Sequence, residues 1–99
     1  MSNKFTVIAD AKVLPEHVED FKRAVEKILE PTRNEEGNLR YDFCQSIDEP
    51  TQFVFFENWE SEQHLQKHLE SEHMSEFFSA VGPVMVKAPD IYHAALTKL

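Results

Sequence analysis

The apolar positions of this chain switch repeatedly between a period of two and a helical period. Phe5 to Val13 alternates, with Phe5, Val7, Ala9, Ala11 and Val13 on one side, and reads as a strand. Leu14-Pro15 stops it, and a proline suits the first turn of a helix. From Glu16 onward, Val18, Phe21, Val25, Ile28 and Leu29 recur at helical spacing, while Glu19, Lys22, Arg23, Glu26 and Lys27 form a wet side. Pro31, with no amide to donate, is expected to kink or end this helix, and Gly37 to cap it.

Asn38 to Ser46 alternates again, placing Leu39, Tyr41 and Phe43 opposite Arg40, Asp42 and Cys44. Asp48-Glu49-Pro50-Thr51 is turn chemistry. In the next strand, Gln52 to Glu60, Phe53, Phe55, Glu57 and Trp59 share a face, yet Val54 and Phe56 occupy the other, which predicts cover on both sides. Ser61 is a cap for a helix with Leu65 and Leu69 as its apolar stripe and His68 on the border. Ser71 caps a second short helix carrying Met74, Phe77, Phe78 and Val81, and Gly82-Pro83 ends it. Val84 to Pro89 reads as a tethered loop, and Asp90 to Thr97 as a last strand.

The order is β-α-β-β-α-β with the second helix broken in two. This predicts an α+β fold of the ferredoxin-like, split βαβ kind: a four-stranded antiparallel sheet with helices on one face, forming a single domain over residues 1–99. Ile8, Val54, Phe56 and Leu96 would then face water on the uncovered side. A patch of that size implies a partner, and a homodimer joined sheet to sheet is the expectation.

Composition narrows the function classes. A net charge of −8 with scattered basic residues argues against nucleic acid, since phosphate binding needs clustered Lys and Arg. No apolar run approaches a membrane span, and the N-terminus reads as a strand start, not a leader. The lone Cys44 allows no internal disulfide, so a reducing cytoplasm is the expected compartment.

Candidate chemistry concentrates between Phe53 and Phe78. His64 and His68 stand four apart on one helix, a spacing that suits zinc, with Glu60 or Glu72 as third ligand; the plainer reading is one surface and one half-buried histidine. His68 projects about 60° from Leu65 on an ideal wheel and leans toward the core. His73 lies in a helix's first turn, where neutral imidazole is favoured and can accept a proton. Each could equally be a hydrogen-bonded structural residue. Glu57 in an aromatic row needs a partner: Arg40 or a lysine if structural, a histidine to orient if functional. Trp59, Tyr41 and Phe55 offer flat walls for an aromatic ligand, with Leu65 and Phe77 shaping the pocket. Asn58 points to the opposite face, and His17, His93 and Cys44 carry no cue for chemistry.

Glu36-Gly37-Asn38-Leu39-Arg40-Tyr41, the run Phe53 to Ser61, His68-Leu69 and Ser71-Glu72-His73 together resemble the antibiotic biosynthesis monooxygenase (ABM) domain family. The resemblance implies a dimeric α/β-barrel made of two ferredoxin-like protomers. It also implies oxidation of a small aromatic quinol or phenol by O2 with no metal or flavin, so no cofactor is expected. The residues it points to are His68 or His73 as base, Glu57 to orient it, and Trp59, Tyr41 and Phe55 to hold the ring. The haem-degrading branch of the family uses an Asn, a Trp and a His where this chain has Ala9, His68 and Phe78, so haem degradation is not expected. The stretch Glu35 to Asp42 with His68 and His73 is also similar to the branch that isomerises phosphorylated autoinducer-2. That alternative needs a phosphate cluster, for which Arg33, Arg40 and Lys87 are the candidates. A non-catalytic dimeric ligand-binding module is the third reading.

Overall fold

The computed structural model describes residues 5–97, so the lead-in before Phe5 lies outside the described residues. The chain runs β1 (Phe5–Lys12), a 3-10 turn (Pro15–His17), α1 (Val18–Arg33), β2 (Asn38–Gln45), β3 (Gln52–Trp59), α2 (Glu62–Leu69), α3 (Glu72–Val81), a second 3-10 turn (Gly82–Val84) and β4 (Asp90–Ala94). The strands form one antiparallel sheet in the order β2-β3-β1-β4. This is the ferredoxin-like arrangement expected from the pattern, with the helices on one face.

β3 shows why the pattern works. Its burial alternates without a break, Phe53, Phe55, Glu57 and Trp59 facing the helices. Register pairs Phe55 with Ala9 and Glu57 with Val7, so both central strands put their alternate residues into the same core. Over them lies α1, whose buried stripe is Phe21, Val25, Ile28 and Thr32. The Phe21 ring sits 5.0 Å from Phe53 and about 6 Å from Phe43, Phe55 and Phe77, joining α1, α3 and two strands.

Several expectations change in detail. α1 continues through Pro31 to Arg33, because so near the helix end one missing amide forfeits a single bond. The helix closes at Asn34; Gly37 serves instead as the left-handed residue (φ 85°) of the turn into β2. Leu39 is exposed, because the β2–β3 register slips between Asn38 and Arg40 and the extra residue leaves the inner face. On α2 the buried pair is Leu65 and His68, and Leu69 lies outside. β4 is short and exposed, ending at Ala94, so Leu96 lies beyond the sheet.

Both serine caps form. The Ser61 hydroxyl accepts from the His64 amide and the Ser71 hydroxyl from the Met74 amide. Ser71 also closes α2, donating its hydroxyl to the His68 carbonyl at 2.7 Å. One side chain thus ends one helix and begins the next. The loop after α3 is tied to the end of β1 by Val86 N to Lys12 O and Leu14 N to Val84 O.

The two glycines give a direct test of this geometry. Gly37 has positive φ, and a Cβ there would overlap the His64 ring, whereas Gly82 is right-handed with open space around it. Gly37→Ala is expected to cost about 2 kcal/mol or more in urea denaturation, and Gly82→Ala to be neutral within about 0.5 kcal/mol. Equal effects at both positions would contradict the turn geometry.

Candidate active site

Between the inner sheet face and α2–α3 lies a cavity of about 410 Å³. Tyr41, Phe55, Glu57, Leu65, His68 and Phe77 are on its wall. Two of the residues singled out from the sequence are not. Trp59 is fully buried, and His73, its ring 6.0 Å from that of His68, does not line the cavity.

Strand alternation turns Glu57 and Trp59 to the same side, and there the indole Nε1 donates to Glu57 Oε1 at 2.9 Å. The partner of Glu57 is therefore Trp59 and not Arg40. Arg40 is on the opposite sheet face, 4.7 Å over the Phe56 ring and paired with Asp42. Above Trp59 sits the His68 ring, centroid to centroid 4.8 Å, with only 1% of the residue exposed.

The carboxylate that holds His68 is Glu35, in the turn after α1: Oε1 lies 2.7 Å from His68 Nδ1. Its other oxygen, Oε2, is 3.3 Å from His73 Nε2, which also contacts Thr32 Oγ1 at 3.3 Å and Ser71 Oγ at 3.4 Å. The break at Ser71 makes this possible, since it brings the last turn of α2 and the first of α3 to one carboxylate. With Nδ1 committed to Glu35, the ring nitrogen of His68 left for a cavity ligand is Nε2.

His64 does not join this group. Its Nδ1 meets Ser61 Oγ at 2.8 Å and its ring covers Gly37, so the i, i+4 histidine pair is not a chelate. His93, which had no sequence cue, lies on the inner face of β4 at the cavity edge, 5.0 Å from the Phe5 ring. Asn58 is on the open face, accepting from Thr6 Oγ1 at 2.7 Å. Glu35 has no role assigned from the sequence: it enters only as the first residue of the stretch Glu35 to Asp42, and no local spacing relates it to His68, 33 residues away.

Desolvation dominates the electrostatics. Burial pushes Glu57 up to about 7, the indole N–H pulling down and the nearby Glu35 pushing up. Burial likewise pushes Glu35 up to about 7 and holds His68 down to about 4, with His73 adding to the latter. The Glu35–His68 contact by itself would favour an ion pair. For an imidazole this dry, the cost of charging outweighs it, and His68 is neutral. The Tyr41 hydroxyl is driven above its usual range by burial first and by Glu57 and Glu35 next, with Arg33 opposing.

The fold and this site define a class: a small ferredoxin-like α+β domain with a half-open, largely apolar cavity backed by carboxyl–indole and carboxyl–imidazole pairs. The family described as antibiotic biosynthesis monooxygenase (ABM) matches residues 4–80, and the chain belongs to it. YcnE of Bacillus subtilis (strain 168), named as a candidate monooxygenase, is 33% identical over 88 residues, 88% of this chain and 92% of its own. Among solved structures, a Nitrosomonas europaea protein named as a candidate antibiotic biosynthesis monooxygenase superposes with a TM-score of 0.93 at 27% identity, covering 96% of this chain and 91% of its own. A conserved protein from Methanosarcina mazei Go1 gives 0.92 at 27%, covering 96% and 94%.

The raised Glu57 predicts a pH-dependent stability. A carboxyl whose pKa rises from 4.5 to about 7 on folding favours the fold in its neutral form. That contribution is complete below pH 4.5 and is lost as pH climbs through 7. Glu57→Gln keeps an acceptor for the indole and removes the charge. It is expected to gain on wild type between pH 5 and pH 8 by up to about 3 kcal/mol, measured by urea denaturation. A difference that does not widen with pH would refute the burial of this carboxyl.

Proposed function

We propose that this protein is a cofactor-independent monooxygenase that oxidises a small aromatic quinol or phenol with O2. The observation that carries the reading is the cavity itself: aromatic and aliphatic walls around a neutral imidazole whose rear nitrogen is fixed by Glu35. Tyr41, Phe55, Leu65 and Phe77 would hold the ring of the substrate. His68 Nε2 accepts the phenolic proton, with Glu35 orienting the imidazole and stabilising the charge it acquires. Glu57, held by Trp59, is the second group able to exchange a proton with the bound substrate.

The electron-rich anion then reduces O2 by one electron, and the two radicals combine at a ring carbon to a peroxide anion, which takes back the proton held by His68 to give a hydroperoxide. Loss of water leaves a carbonyl: one oxygen atom ends in the product and the other in water, with the electrons supplied by the substrate's C–H and O–H bonds. Apolar walls favour this course because they limit the water and stray protons that reach the peroxide.

Proton-transfer chemistry on a phosphorylated carbonyl compound receives less support. Of its three candidate cations, Arg33 is bound to the Tyr41 carbonyl at 2.8 and 3.1 Å and Arg40 is on the opposite sheet face. Only Lys87 lines the cavity, and it faces Asp90 at 3.4 Å. A phosphate would meet a single, already partnered, ammonium.

The open sheet face, with Ile8, Val54 and Phe56 half-covered and Tyr92 62% exposed, supports a second copy as its cover. No helix among the described residues is long and apolar enough to cross a membrane.

Oxygen uptake across a panel of naphthols, anthrones and hydroquinones tests the chemistry. Turnover is expected to require O2, and His68→Gln to lower kcat/KM by about 10²- to 10⁴-fold. Turnover under anaerobic conditions, or an undiminished His68→Gln, would overturn the mechanism. Sedimentation at micromolar concentration is expected to give twice the mass of the chain, and Val54→Glu to give the monomer. A monomeric wild type would remove the dimer.

A further inference from the structure

The Glu35–His68–His73 cluster offers more than a hydrogen-bonded support. Three elements each present one ligand atom toward a common point: Glu35 from the turn after α1, His68 from the end of α2, His73 from the start of α3. The ligand atoms all lie within 4.8 Å of one another. Around a tetrahedral ion with bonds of about 2.0–2.1 Å, neighbouring ligand atoms are about 3.3 Å apart. The His73 Nε2–Glu35 Oε2 separation is already 3.3 Å, and His68 Nδ1–Glu35 Oε1 is 2.7 Å. These contacts are to different oxygens of Glu35, so closing on one ion needs a turn of the glutamate side chain and of the partly exposed His73 ring, with His68 fixed between them.

We propose that Glu35, His68 and His73 form a binding site for one divalent ion of the Zn²⁺ type, separate from the ligand cavity and joined to it through the His68 ring. Two imidazole nitrogens and one carboxylate oxygen suit a borderline ion such as Zn²⁺ or Co²⁺, whereas Mg²⁺ and Ca²⁺ prefer oxygen donors throughout. The way in is from solvent, since Glu35 is 20% and His73 24% exposed while His68 closes the inner side. Water from that side completes the coordination, with Thr32 Oγ1 and Ser71 Oγ close to His73 as its hydrogen-bond partners.

The ion takes the place of a proton. When Nδ1 of His68 ligates the metal, the ring's single N–H moves to Nε2, and the nitrogen facing the cavity changes from acceptor to donor. That proton is the one Nδ1 had offered to Glu35, so it stays on the ring. Metal loading therefore staples α1, α2 and α3 together and withdraws the cavity's base. That last consequence rests on the oxygenase reading above; metal binding does not.

The test uses the untagged chain, with Zn²⁺ measured by calorimetry and by metal content after desalting, and Co²⁺ by its visible spectrum. One equivalent of Zn²⁺ at micromolar or tighter affinity is expected, with intense tetrahedral-type Co²⁺ bands and no response to Mg²⁺. Glu35→Gln and His73→Gln are expected to weaken binding by more than about 100-fold, beyond what loss of an outer partner costs. His64→Gln is expected to leave it unchanged. His73→Cys, which keeps a ligand, is expected to retain one ion with the wild-type fold by circular dichroism and to add a sulfur-to-cobalt absorption band that wild type, with its exposed Cys44, does not show. Absence of a stoichiometric ion, or binding that survives in both Glu35→Gln and His73→Gln, would overturn the site. Either result would leave the oxygen-uptake outcome untouched.

Discussion

An imidazole almost without access to water must be neutral and must find a partner, and the structure is arranged around how His68 meets both demands. Its ring lies on the Trp59 indole, its Nδ1 is held by Glu35, and its remaining edge belongs to the cavity. Three distant stretches of chain have to be in register for that contact to exist. The Ser71 hydroxyl supplies the decisive local constraint: it terminates α2 on the His68 carbonyl and starts α3 on the Met74 amide, so His68 and His73 converge on one carboxylate.

Glu57 and Trp59 solve the same problem one layer deeper. A glutamate on the inner face of a central strand would be a serious cost, yet the residue two along the strand offers an indole N–H that also needs an acceptor. Each satisfies the other, and no buried side-chain nitrogen or oxygen among the described residues lacks a partner. The two carboxyls that burial pushes up to about 7, Glu35 and Glu57, lie close to the buried, neutral imidazole of His68. Within the fold this places Glu57 and His68 on the wall of a largely apolar cavity.

Much of this was legible in the chain itself. Strict alternation in Phe53 to Trp59, the helical stripe from Phe21 to Ile28, and Ser61 and Ser71 as caps are local signals, and each produced the element it announced. The ferredoxin-like order follows from those elements, because short connections and one buried face leave few ways to arrange them. The inward direction of Glu57 and Trp59 was fixed by strand period alone.

What Glu35 does was decided only in three dimensions. A charged residue two before a turn glycine resembles any solvated surface position, and its partners are 33 and 38 residues away. Sequence spacing offered His64 and His68 as a metal pair beside the plainer reading of one surface and one half-buried histidine, and α2 does place them one turn apart. But His64 was drawn to Ser61 and Gly37, and His68 to a carboxylate from another element. Leu39 left the core through a bulge, and Arg40 never reached Glu57 because strand pairing put them on opposite faces. Local periodicity determines which way a side chain faces; which chemical group it meets there is decided by elements that only packing brings together.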